Sequence, residues 1–169
     1  MSDDPCADSS IPRPGDQHRL LKPFAGTFRS TVRLWFGPGD PVVHHGTMVN
    51  SLQLDDLFLF QDYTGDPSPG PFPAFRGKGF RGFNISSKEF EGFWIDNAST
   101  MMQMERGQVD DTGKVWTMRS EFFHPHHNAM VRKRTVIRLL DDNRNDMTTW
   151  MTGPDGNEVR SMEILFERA

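Results

Sequence analysis

A chain of 169 residues (19.3 kDa) with a net charge of −4 and a pI near 5.8 is a single domain by length, with enough chain to bury a core. The acidic balance argues against nucleic acid, which is met by a basic face. A mean hydropathy of −0.60 with no long apolar run excludes a transmembrane helix, and a single cysteine, Cys6, excludes an internal disulfide.

Residues 1–16 hold Pro5, Pro12 and Pro14 and little apolar material, so a disordered tail is expected ahead of one domain over 17–169. The tail has neither the basic start nor the apolar centre of a signal peptide, and the expected address is the cytoplasm. Residues 17–25 (QHRLLKPFA) predict one or two helical turns offering Leu20, Leu21 and Phe24 to one face, kept short by Pro23. Strand one, 27–36, puts Phe28, Val32, Leu34 and Phe36 on one parity and Arg29, Thr31 and Arg33 on the other, the pattern of a half-buried strand.

After a Gly/Pro turn at 37–41, strands at 42–54 and 57–64 meet in a predicted tight hairpin at Asp55-Asp56, and a long Pro-rich loop (65–73) follows. Three consecutive strands then come at 75–83, 88–95 and 100–106. The middle one carries Phe90, Phe93, Trp94 and Ile95 on both faces and stops at Asp96-Asn97. In the next strand, 115–123, Trp116, Met118, Ser120 and Phe122 face one way. Strands at 130–140, 146–152 and 158–168 complete the chain, separated by turns at 141–143 and 153–157. About ten short strands with short connections predict an all-β fold, an antiparallel up-and-down barrel closed on itself and wide enough for a small ligand, with the N-terminal helix as lid or plug.

The residues that carry a resemblance are LKPFAGTF at 21–28, Gly-x-Gly-x-x-Gly-Phe-Asn at 77–84 and Gly-x-Trp-x-Asp at 92–96. Arg-x-Val-x-x-Leu-x-Asp-Asp-Asn from Arg134 and Met-Glu-Ile-x-Phe-x-Arg ending at Arg168 complete them. With these the chain resembles a group of mostly bacterial proteins catalogued as a domain of unknown function, with a lipocalin-like (calycin) barrel. The resemblance spans roughly 17–168 and implies a fold and, by analogy, a ligand cavity. It brings no activity with it. Phe28 stands where that group has a tryptophan, the histidine loop at 124–127 lies outside its pattern, and Arg134 falls at its arginine position.

The run Gly77-Lys-Gly79-Phe-Arg-Gly82 is literally G-x-G-x-x-G, but it leads into a hairpin instead of a helix, so the glycines are expected to relieve crowding between strands. Alternating turns place His44, His45, Asp96, His124, His126 and His127 near one rim. There His44, His124 and Asp96 are candidate proton-transfer groups, with solvated loop histidines as the plainer alternative to a metal site. No nucleophile motif is present.

Fourteen Phe, four Trp and ten Met against one Tyr suit an adaptable apolar wall. Trp94, Met102, Met104, Trp116, Met118, Phe122 and Trp150 are its candidates, with Asn97 at the mouth. An inward Arg134 would favour an anionic ligand, while three arginines in register (132, 134, 138) also fit an outward basic stripe.

The expected function is non-catalytic binding of a small, largely apolar and anionic molecule, with no cofactor, nucleic acid or membrane partner. The alternatives are an isomerase, cyclase or lyase using the cavity, metal-assisted at the rim, or a protein that assembles as a homodimer.

Overall fold

The computed structural model describes residues 13–67, 73–124, 128–153 and 155–169. Most of the expected tail, 1–12, lies outside the described residues, as do the histidines at 126 and 127; Asp16, assigned to the tail, instead opens the helix. Helix α1 (Asp16–Arg19) and a 3₁₀ turn (Lys22–Phe24) precede ten strands. These are β1 (Gly26–Leu34), β2 (Val42–Gln53), β3 (Phe58–Gly65), β4 (Arg76–Asn84), β5 (Glu89–Asp96), β6 (Gln103–Val109), β7 (Val115–His124), β8 (Ala129–Leu139), β9 (Arg144–Thr152) and β10 (Glu158–Arg168).

Each strand pairs antiparallel with its sequence neighbours, and β10 returns to β1 through Phe28↔Arg168 to Leu34↔Met162, so the sheet is a closed ten-stranded barrel. Closure leaves no edge strand, and the strands alternate inward and outward residues, with one register slip in β10 between Arg160 and Met162. The expected tight hairpin at Asp55-Asp56 is wider. Leu54, Asp55 and Asp56 all take positive φ (52°, 58° and 65°), so the chain reverses over residues 54–57. Among the described residues no helix is long and apolar enough to cross a membrane.

One end of the barrel is plugged. Leu21 and Phe24 are buried with Leu59, Phe90, Trp116, Met118 and Ile137, and Trp116 is met edge-on by Phe24 (ring centroids 5.4 Å) and obliquely by Phe90 (4.2 Å). Pro23 stops the helix early, and the chain must then turn sharply into β1. Gly26 makes that turn at φ 126°, where a Cβ would also run into the Arg168 guanidinium. Arg168, the last residue of β10, holds the plug down. It donates from Nη1 to the Ala25 carbonyl (2.9 Å), from Nη2 to the Pro23 carbonyl (3.1 Å) and from Nε to the Asp142 carbonyl (3.3 Å), and its guanidinium stacks on Phe28 at 4.6 Å. A second buried cluster, Phe28, Val32, Met48, Tyr63, Ile164 and Phe166, fills the β1, β2 and β10 side.

Truncating the plug tests this arrangement. Phe24→Ala is expected to cost about 3–5 kcal/mol in urea-denaturation free energy, the usual range for a buried Phe. A loss below about 1 kcal/mol would mean the plug contributes nothing beyond an ordinary surface segment.

Candidate functional site

Above the plugged end the interior changes character. Inward positions near the plug are mostly apolar, with Asn50 and Asn145 buried among them, whereas Gln61, Trp94, Gln103, Glu105, Ser120, Phe122 and Lys133, closer to the opposite rim, keep partial exposure. The ladder registers explain the composition of this zone. Arg81 pairs with Gly92, Gly92 with Glu105, and Ser120 with Lys133; Glu105 and Ser120 stand one step beyond the last β6–β7 pair, Arg106↔Arg119. Arg81, Gly92, Glu105, Ser120 and Lys133 therefore form one inward row at a single level across β4 to β8.

Gly92 makes the row possible. With no side chain on β5 at this level, Arg81 reaches over the strand and Nη2 donates to Glu105 Oε1 at 2.7 Å; the two side chains are only 8% and 15% exposed. A Cβ on Gly92 would sit 3.4 Å from Glu105 Oε1 and 2.9 Å from the Phe80 carbonyl oxygen, so an alanine would crowd the pair.

Lys133 crosses the interior from β8 to β6 and donates from Nζ to Gln103 Oε1 at 3.0 Å, and it makes no ion pair among the described residues. Arg81 Nε and Ser120 Oγ are buried without a hydrogen-bond partner among the described residues. Two cations thus share the row with one carboxylate, and unused donors remain.

Burial works against the Glu105 carboxylate, but the charges of Arg81 and Lys133 and the Arg81 hydrogen bond outweigh it, holding its carboxyl below the ordinary glutamate range. For Lys133 burial dominates. It pushes the ammonium below the ordinary lysine range, with Arg81 acting the same way and Glu105 and Asp96 opposing.

One level up, Trp94 lies flat along β4. A Cβ on Gly77 or Gly79 would fall within 2.1 and 2.9 Å of the indole, which accounts for two of the glycines in the G-x-G-x-x-G run; the third, Gly82, makes room for Phe58 on the outer face. Trp94 Nε1 donates to Asp96 Oδ2 at 3.1 Å, and Asp96 Oδ1 accepts from the Ala98 amide at 3.0 Å. Asn97 ties the rim together, accepting from the Arg76 amide (2.8 Å) and donating to the Ala74 carbonyl (3.0 Å).

The remaining sequence candidates scatter. Trp116 and Met118 face inward but belong to the sealed core, and Phe122 stands in the open half. Met102 and Met104 are 64% and 60% exposed and do not line the interior. Met104 continues an outward apolar row, Phe60, Phe80, Phe93 and Met104, that alternation forces once Phe90 and Trp94 point in. Arg134 and Trp150 are also outside. Arg134 donates twice to Glu158 (2.9 and 2.6 Å) and stacks on Trp150 at 4.1 Å, so the outward stripe is the correct reading of these arginines.

His44 and His124 do end at the same rim as Asp96, but on β2 and β7, opposite walls of the ring of strands; His45 turns outward towards Thr31. Among the described residues no three His, Cys, Asp or Glu side chains gather closely enough for a metal ion. Two open grooves of about 540 and 510 Å³ lie on the outer side of β7 to β10. Arg138, Arg160 and Arg134 on their walls are already paired with Asp146, Glu163 and Glu158.

Arg81, Gln103, Glu105 and Lys133 were missed in the sequence. The signal existed for Lys133: with arginines 132, 134 and 138 outward, 133 must share the inward parity of Val131, Thr135 and Ile137.

These features define a plugged, ten-stranded up-and-down barrel with a buried charged row towards the rim opposite the plug. The chain belongs to the family described as "Protein of unknown function (DUF1579)", which matches residues 13–168. No curated protein matches it by sequence. Rv2717c from M. tuberculosis has a similar fold (TM-score 0.65, 11% identity, covering 92% of this chain and 98% of that one). So does the S-type phycobiliprotein lyase CPES from Guillardia theta (TM-score 0.62, 9% identity, 92% and 98%).

The Arg81–Glu105 pair gives a pH signature. Because Glu105 titrates lower folded than unfolded, its contribution to stability is complete above the ordinary glutamate range and is lost as pH falls from there through the depressed folded value. Glu105→Gln, which strands a buried guanidinium, is expected to cost about 3–5 kcal/mol at pH 7 and to flatten that acid limb. Parallel stability–pH curves for the variant and the wild type would show that the pair is not the source.

Proposed function

We propose that the protein is a small-molecule-binding barrel, lipocalin-like in use, that admits a largely apolar ligand through the open rim and seats an anionic end against the charged row. The observation that carries this reading is the buried excess of cation over carboxylate at Arg81, Glu105 and Lys133, with donors left unused. A buried charge without a partner is costly, and a ligand carboxylate supplies the missing one. Trp94 and Phe122 line the approach and suit an alkyl or aromatic body. A lyase named for phycobiliproteins has a barrel of similar form, so chemistry on a bound ligand is compatible with the same placement.

Octanoate and octanol make a matched pair of probes for calorimetric titration. Octanoate is expected to bind at least about tenfold more tightly, the equivalent of one charge-assisted hydrogen bond. Lys133→Met should remove that preference, while Arg134→Ala, on the outer face, should leave it intact. Equal affinity for the two probes, or no binding of either, would overturn the reading.

A further inference from the structure

We propose that Lys133 is a nucleophilic amine and that the interior site captures an apolar 2-oxo acid as an imine on Nζ, an inference that rests on the reading of the interior as the binding site. All five lysines of the chain are among the described residues. Lys22, Lys78, Lys88 and Lys114 are exposed, and only Lys133 points into the barrel.

Its surroundings disfavour the ammonium. The nearby carboxylate, Glu105, is taken by Arg81, and a single acceptor, Gln103 Oε1, serves the three protons an ammonium would carry. A lysine desolvated beside a second cation gives up its proton more readily than an exposed one, and the free amine is nucleophilic. Burial lowers the proton affinity of Lys133 in the same sense.

The groups around the amine match the needs of carbonyl addition. Ser120 stands directly opposite Lys133 in the β7–β8 register, with a buried hydroxyl that has no partner among the described residues and can donate to a carbonyl oxygen. Glu105, on the far side of Ser120 in the same row, can relay protons. Trp94 and Phe122 offer apolar surface for the rest of the ligand.

Charge selects the 2-oxo acid over a simple ketone. In the free-amine form of Lys133, the form that adds to a carbonyl, Arg81 and Glu105 cancel. An iminium adds one positive charge, and a carboxylate one bond from the reacting carbon offsets it.

The step balances without an oxidant or reductant. The Nζ lone pair adds to the carbonyl carbon to give a carbinolamine. The C–O bond then breaks, and the oxygen leaves as water with the two protons that began on the amine. The product is a C=N bond, which is protonated to the iminium.

Trapping with sodium cyanoborohydride at pH 7 reads this out directly. Wild-type protein is incubated with 2-oxooctanoate and the reductant, and the adduct is located by intact mass and peptide mapping. One adduct at Lys133 is expected, formed at least about tenfold faster than at any exposed lysine, competed by octanoate and absent from Lys133→Arg.

The rate should rise with pH across a range below that of the exposed lysines. The charged groups acting on Lys133 are Glu105 on β6, Arg81 on β4 and Asp96 on β5. Label spread evenly over the lysines, or no adduct, overturns the proposal. Octanoate binding without an adduct leaves a non-covalent site standing, whereas failure of both removes the interior site altogether.

Discussion

Everything in this molecule depends on β10 closing against β1. An open meander of ten strands could twist, slide in register or expose either face; once the ends pair, inside and outside are set for every residue. The closing strand does a second job through Arg168. Its guanidinium caps Phe28 and takes carbonyls from Pro23, Ala25 and Asp142, so the same contact that shuts the sheet also pins the plug. One end of the barrel is thereby committed to stability, and the other is left for a site.

The site owes its form to missing side chains. Inward glycines on β4 and β5 leave lanes that the Trp94 indole and the Arg81–Glu105 pair occupy. A barrel of this size filled uniformly with large apolar residues would have been easier to stabilise. Burying two cations and a carboxylate instead carries a desolvation penalty that the pair geometry only partly offsets. Groups of that kind, placed where water still has some access and with donors unused, are a stronger pointer to function than the arginines on the outside. Those, at Arg134, Arg138 and Arg160, are neutralised by neighbouring carboxylates and contribute little beyond solubility.

Much of the architecture was legible before any coordinates. Turn residues and two-residue alternation mark ten strands and their order, and Pro23 with the apolar pair Leu21 and Phe24 marks a short plug. The wall was harder. In strands such as β5, where both faces carry aromatics, periodicity gives no direction, and Met104 and Trp150 read as well inward as outward. Trp94 was found as a wall aromatic and Asp96 as a carboxylate at a rim turn; that they share a face and a hydrogen bond is set by the folded strand. Arg81 was hidden inside a glycine motif that resembles a phosphate loop, and Glu105 among exposed-looking polar residues.

The sequence by itself determined the fold class, the strand count and the end at which each turn lies, because those follow from local backbone preferences and chain order. Tertiary structure alone decided that Arg81, Glu105, Ser120 and Lys133 stand at one level, and that His44 and His124 stand on opposite walls. The physical reason is register. It is set between strands by the closed sheet and the packing beneath it, and no single strand carries the information about which residue of its neighbour it will meet.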